Sequence, residues 1–365
     1  MIYALIITLL VFTTAYLFMH SKRFGALPKG TDKQQIRQSP HFKGKSFANI
    51  SPTPSLTEGS SFTGVLYDFL FKRGRRIHPT DFLPVVKTDL KQLAGDQNVL
   101  IWLGHSSYFM QVDGLKILVD PVLSGHASPL RFTTRSFKGV DIYTPDDFPD
   151  IDYLFITHDH WDHLDYRTVK ALQPKVGKVI CGLGVPGHLL RWGYQRADII
   201  EKDWNEQVSL REGFTVHTTS GRHFSGRGFK RNQTLWMAYV LQTPSRKIFM
   251  GGDSGYDSHF AAIGKAFGPF DWAILECGQY DPNWKYIHMM PHEVVQAAID
   301  LGARQLIPVH WGKFALSKHD WDTPIKTVSK EAAARKVSIK TPRIGSVLDL
   351  DTPDKPTPPW WTDLK

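Results

Sequence analysis

The sequence predicts an α/β fold, a four-layer αββα sandwich, with an N-terminal transmembrane helix in front of it. Three observations carry that expectation. Residues 1–19 hold no charged side chain. Short segments rich in β-branched and aromatic residues, bounded by Gly, Asp or Pro, then recur along the chain. Helix-patterned segments are interleaved with them, which excludes an all-β sandwich and suits two sheets covered by helices.

In chain order, the opening run Ile-Tyr-Ala-Leu-Ile-Ile-Thr-Leu-Leu-Val-Phe belongs to a stretch long enough, at about 1.5 Å per residue, to span roughly 30 Å of hydrocarbon. No basic residues precede it, and the small pair Thr13 and Ala15 would leave a short apolar core for a cleaved leader, so residues 1–20 read as an anchor. Lys22, Arg23, Lys29, Lys33, Arg37, Lys43 and Lys45 follow against the single acid Asp32. By the positive-inside rule this flank, and the domain after it, belong in the cytoplasm. Residues 21–60 lose hydrophobic periodicity and gain Pro, Gly, Ser and Lys, as a tether or wrapping arm does; Pro52 and Pro54 favour an extended path. Residues 61–350 form the main domain, large enough for one full core, and residues 351–365 a tail whose Trp360 and Trp361 suit either a membrane interface or packing on the domain.

Strands are expected at residues 99–103, 108–112, 116–119, 153–156, 178–181, 215–219, 236–241, 247–250, 272–275 and 305–308. Helices are expected at 164–172, 187–192, 259–267 and 292–301, the last with Val294, Val295, Ala298 and Leu301 at helical spacing. The net charge of +9 and the cluster Lys72-Arg73-Gly74-Arg75-Arg76 point to anionic lipid headgroups as a partner surface. No nucleic-acid partner is expected, because no motif for reading bases accompanies the charge. Cys181 and Cys277 are the only cysteines, so no disulfide framework is implied; Cys181, inside Val179-Ile180-Cys181-Gly182, reads as a small apolar residue.

The chemistry lies in Thr157-His158-Asp159-His160-Trp161-Asp162-His163, directly after an apolar strand. His158 and His160 can face one ion while Asp162 and His163 turn toward a second. His223, Asp253 and His310 each follow a strand-like segment in glycine-rich surroundings, where backbone can turn tightly beside an ion. The ligand set is then His158, His160 and His223 on one metal, Asp162, His163 and His310 on the other, and Asp253 bridging. Imidazole and carboxylate suit two zinc ions, with iron or manganese as the alternatives.

This order of ligands resembles the metallo-beta-lactamase superfamily. The stretches Ile101-Trp102-Leu103-Gly104-His105-Ser106-Ser107, Asp113-Gly114 to Asp120-Pro121, Gly221-Arg222-His223-Phe224-Ser225-Gly226-Arg227-Gly228 and His310-Trp311-Gly312-Lys313-Phe314-Ala315-Leu316 resemble the branch containing N-acylphosphatidylethanolamine-hydrolysing phospholipase D and its bacterial relatives. The resemblance departs at Gly278-Gln279-Tyr280-Asp281-Pro282-Asn283, where that lipase has alanine after the glycine and arginine after the proline. It implies the αββα fold and places a histidine near the active site at the position of His288.

Two metals about 3.5 to 4 Å apart share a water and supply hydroxide near neutral pH, with Asp253 bridging and orienting it. Asp120, at a strand end, is expected to hold a ligand imidazole. His288 is expected to bind phosphate or protonate a leaving alcohol. Arg222 and Arg227 suit phosphate, and Asp159 is read as solvated. The expected function is a membrane-anchored binuclear zinc phosphodiesterase of phospholipase D type. The alternatives are a lactonase or other ester hydrolase of the same superfamily, and a non-catalytic, metal-stabilised membrane scaffold.

Overall fold

In the computed structural model, which describes residues 1–72 and 74–365, helix α1 (Ile2–Met19) is long and apolar enough to cross a membrane, and none of its residues is buried. Arg73 of the basic cluster lies outside the described residues. Helix α2 (Gly30–Gln38), the short hairpin β1 (Phe42–Lys43) and β2 (Ser46–Phe47), and helix α3 (Phe62–Phe71) follow. Next come β3 (Val99–Trp102), β4 (Tyr108–Val112), β5 (Leu115–Val119), β6 (Ile151–Ile156), α4 (Tyr166–Leu172), β7 (Val176–Gly182), α5 (Pro186–Trp192) and β8 (Ile199–Lys202). The second half holds β9 (Gln207–Arg211), β10 (Phe214–Thr219), β11 (Ala238–Gln242), β12 (Lys247–Met250), α6 (His259–Phe267), β13 (Phe270–Glu276), α7 (Pro291–Asp300), β14 (Ala303–Val309), α8 (Thr323–Ala334) and β15 (Val347–Asp349).

These strands form a seven-stranded sheet in the order β15-β3-β4-β5-β6-β7-β8 and a six-stranded sheet in the order β14-β13-β12-β11-β10-β9. The pairings β5-β6-β7-β8 and β12-β13-β14 are parallel. Parallel strands need crossovers; α4, α5, α6 and α7 supply four of the five, and a long connection without an α-helix joins β5 to β6. Strand β6 shows why the sandwich has four layers. Phe155 joins the core between the sheets with Tyr108, Ile180 and Tyr239, while Leu154 and Ile156 join a second cluster with Val169, Leu172 and Leu189 of the covering helices.

The expected interior strands are present, those at 108–112 and 247–250 with the expected bounds. Expected strand 236–241 starts at Ala238, because Leu235 and Met237 instead donate their N–H groups to Leu183 O and Thr157 O (2.8 and 2.9 Å) beyond the ends of the other sheet. Strands β8, β9 and β15 escaped the sequence reading. They are short edge strands in which polar residues make up about half of the sequence or more, or of which only three residues pair, so their apolar signal is weak. Helix α8 was legible in the spacing of Ile325, Val328 and Ala332 but was not expected.

The arm at residues 21–60 lies against the domain. Asn49 Nδ2 donates to His223 O (2.7 Å), and Asn49 Oδ1 accepts from His223 N and Trp236 Nε1 (3.1 Å each). The tail packs on the domain too: Trp360 stacks on Trp311 (ring centroids 5.2 Å), Trp361 is buried, and Lys365 N donates to Asp81 Oδ2.

Candidate metal centre

The loops after β6, β10, β12 and β14 meet at one end of the sandwich, and all seven expected ligands meet with them. His158 Nε2 and His223 Nε2 lie 2.9 and 3.3 Å from His160 Nδ1. Asp162 Oδ2 lies 3.5 Å from His163 Nε2 and 3.3 Å from His310 Nε2. Between the two groups stands Asp253, whose Oδ2 is 3.2 Å from His163 and His310 and 3.8 Å from His158 and His223. A tetrahedral ion with donor distances near 2.0–2.1 Å separates its donors by roughly 3.3–3.4 Å. The donor separations and the nitrogen and oxygen donor set therefore fit two divalent ions. His163 Nε2 and Asp253 Oδ1 add to this, being buried without a well-formed hydrogen bond among the described residues.

Close backbone approach makes the cluster possible. A Cβ on Gly252 would come within 2.8 Å of Met237 O and 2.9 Å of Thr157 Cβ, and one on Gly278 within 2.2 Å of His310 O. His310 itself adopts a left-handed φ of 67°, held by the Gly278-side loop and by His310 N donating to His105 O (2.9 Å).

Burial pushes His158 and His223 well below the usual imidazole range. Burial acts the same way on His163 and His310, yet the carboxylates of Asp253 and Asp162 overcome it and raise both. Asp162 and Asp253 are held well below the carboxylate range despite their burial, chiefly by the charge of His163.

Asp120 sits under this cluster. Its Oδ2 is 2.8 Å from His163 Nδ1, and its oxygens also accept Thr157 N (2.8 Å) and Thr157 Oγ1 (2.5 Å). The carboxylate thus orients His163 with Nε2 toward the cluster. Asp120→Asn is expected to weaken binding of a divalent metal about 10- to 100-fold with the fold retained, read by chelator competition; unchanged affinity would reject this role. His288 lies against His223 and His310 with ring centroids 5.1 Å from each, and its Nδ1 is 3.2 Å from Glu276 Oε2.

Three expectations are corrected. Arg222 does not line the cavity over the metal cluster: it donates to Pro52 O (2.6 Å) and Thr53 Oγ1 (3.1 Å) and covers Tyr286 at 4.5 Å. Arg227 is buried and committed to the backbone oxygens of Asp159, Leu164 and Arg23. Asp159 is not solvated but 1% exposed. Two residues were missed. His105 Nε2 reaches Asp162 Oδ2 at 2.9 Å with its ring centroid 4.1 Å from that of His310. Glu276 accepts Met289 N (2.9 Å) and stands 3.5 Å from His310 Nδ1. Glu276 had the signal that marked Asp253, a lone acid closing an apolar strand; His105 had the glycine before it.

Six of these side chains, His160, Asp162, His223, Asp253, His288 and His310, floor a cavity of about 360 Å³. Its walls include Leu56, Phe62, Phe224, Trp284, Ile287 and Leu316.

The model of a beta-lactamase superfamily domain matches residues 116–311. The chain is 31% identical over 258 residues to N-acyl-phosphatidylethanolamine-hydrolyzing phospholipase D 1 of Caenorhabditis elegans, covering 66% of this chain and 70% of that one. It is 58% identical over 106 residues to the outer membrane protein RomA of Klebsiella pneumoniae, covering 29% of this chain and 80% of RomA. Among solved structures, the metallo hydrolase Igni18 of Ignicoccus hospitalis is similar in fold, with a TM-score of 0.53 at 20% identity over 69% of this chain and 97% of that one. With the ligand cluster at the strand ends and a family match over more than half its length, the chain belongs to the metallo-beta-lactamase superfamily, as a metal-dependent hydrolase of the branch that resembles N-acylphosphatidylethanolamine-hydrolysing phospholipase D.

Proposed function

We propose that this hydrolase is a membrane-anchored binuclear zinc phosphodiesterase acting on a phospholipid of the N-acylphosphatidylethanolamine type. The observation that carries the reading is the wall of the cavity. A small, wholly polar pocket would suit a soluble lactone, whereas here Leu56, Phe62, Phe224, Trp284, Ile287 and Leu316 give the wall beside the ligand cluster an apolar share, next to polar residues such as Asn49, Arg231 and Gln279. Phe62 opens α3, whose Phe62, Leu66, Tyr67, Leu70 and Phe71 are all more than half exposed. Apolar surface of that kind, next to a cavity and in a chain with α1, suits lipid.

Bound zinc ions supply an activated water and polarise the electrophilic oxygen. The protein supplies the rest. Asp253, between the two ligand groups, is placed to accept the proton of the attacking water. Glu276 holds His288 through Nδ1, which leaves Nε2 for a phosphate oxygen or for the proton of the departing headgroup alcohol. Cleavage of the phosphorus–oxygen bond to that alcohol leaves phosphatidate. α1 and the basic residues after it keep the domain at an anionic surface, on the cytoplasmic side by the charge asymmetry. Membrane fractionation decides between an inner membrane and the outer membrane for which the Klebsiella relative is named.

The test is zinc per chain in detergent-extracted protein, with hydrolysis of bis-p-nitrophenyl phosphate and of N-acylphosphatidylethanolamine in mixed micelles, against a His160→Ala control. Two zinc ions and zinc-dependent release of N-acylethanolamine, lost in the control, are expected. Activity on lactones or simple esters alone would reject the phospholipid, and bound zinc without any hydrolysis would leave a scaffold.

A further inference from the structure

The chain between α1 and α2 passes close to the metal-binding turn, and its backbone is held there at successive residues. Arg191 Nη2 donates to His20 O (2.6 Å), Trp192 Nε1 to Lys22 O (2.7 Å) and Arg227 Nη2 to Arg23 O (2.9 Å). Phe24 packs edge-on against Trp161, which lies between the ligands His160 and Asp162 in sequence (ring centroids 5.0 Å). At Gly25 and Gly187 the seat admits backbone alone. A Cβ on Gly25, whose φ is +70°, would lie 2.0 Å from His188 Nδ1, and a Cβ on Gly187 would lie 2.5 Å from Ala26 O.

At its centre, Ala26 N–H donates to His188 Nδ1 (3.1 Å). That bond settles the tautomer: Nδ1 is the acceptor, so the proton sits on Nε2 and is donated to Asp159 Oδ2 (3.0 Å). Asp159 Oδ1 accepts Gly226 N–H (2.6 Å), and Arg227 Nη1 donates to Asp159 O (2.9 Å) and Leu164 O (2.6 Å). His188 and Asp159 are each 1% exposed, so water does not substitute for a missing partner. Asp159 stands between His158 and His160, whose imidazoles must converge on one ion.

We propose that residues 22–28 are a positioning element of the metal centre: the seated strap fixes the His188 tautomer, His188 and Arg227 fix Asp159, and Asp159 fixes the turn that presents His158 and His160. His188 and Asp159 touch neither substrate nor ion and are positioning residues. The anchor end and the metal are then linked. Displacing the strap weakens metal binding, and metal binding by reciprocity favours the seated strap. The inference rests on the ligand assignment above.

The experiment uses the full chain in detergent, with zinc affinity read by chelator competition and kcat and KM read on bis-p-nitrophenyl phosphate, a soluble diester for which membrane recruitment is irrelevant. Gly25→Ala and His188→Leu are expected to weaken zinc binding about 10- to 100-fold and to lower kcat with little change in KM. His188→Gln, which keeps a donor near the Nε2 position, is expected to recover most of the affinity. Wild-type affinity and kcat in Gly25→Ala would make the strap a tether only and overturn the proposal. Should Gly25→Ala fail to fold, equal zinc affinities in His188→Leu and His188→Gln would overturn it alone. A wild-type chain that binds neither zinc nor iron nor manganese would instead sink the hydrolase reading itself.

Discussion

Asp253→Ala is expected to reduce bound metal from two ions per chain to fewer than one and to lower hydrolysis by at least about 10³-fold, the scale of several kcal/mol of lost transition-state stabilisation. One oxygen of this carboxylate lies within 3.8 Å of four imidazoles, two from each ligand group. On the proposed assignment its loss would remove a donor from both ions at once, whereas loss of His160 would take one donor from one ion. On the Nε2 side it leaves His163 and His310 with Asp162 as their carboxylate neighbour, while Asp120 and Glu276 stay beside their Nδ1 atoms. The sandwich is expected to survive the change, because the core between the sheets is built from apolar side chains that do not include Asp253. Metal analysis, circular dichroism and the diester assay on the same preparation test this. Two ions per chain in a folded Asp253→Ala protein would remove Asp253 from the bridging position.

Phe155→Ala is expected to act in the opposite order, on stability first and on metal second. Phe155 is fully buried on β6, edge-on to Tyr239 of β11 in the facing sheet at a centroid distance of 5.0 Å. Tyr239 in turn donates through its hydroxyl to Ile156 O (2.5 Å). Truncating the ring leaves a cavity between the sheets and should cost about 3–5 kcal/mol, or roughly 5 °C in thermal midpoint for a chain of this size. Thr157 begins the metal-binding turn two residues later, so added zinc should restore part of the loss by binding the native state. Thermal unfolding with and without zinc reads both effects. A midpoint within about 2 °C of wild type would show that the two sheets close over the gap.

Local pattern settled a large part of this protein. The run from His158 to His163 is legible because its donors lie within six residues of one strand end, and His223, Asp253 and His310 because each is a ligand residue after an apolar strand beside glycine. Interior strands such as β4 and β12 are legible because burial on both faces leaves continuous apolar runs. The edge strands β8, β9 and β15 were not, since they are short and their polar residues dilute the signal. Other matters were decided only when distant segments met. Arg222 and Arg227 look like phosphate-binding arginines in sequence, yet the arm and the metal-binding turn claim their donors. Glu276 and His105 gain significance only beside His288 and Asp162. Asp159 shows the difference most directly. In sequence it is a polar residue between two ligands, and only packing brings His188, Gly226 and Arg227 onto it from segments far along the chain. Ligand identity and spacing are properties of covalent neighbours, whereas burial and hydrogen-bond partners are set by which segments the fold brings together, and no local pattern encodes that.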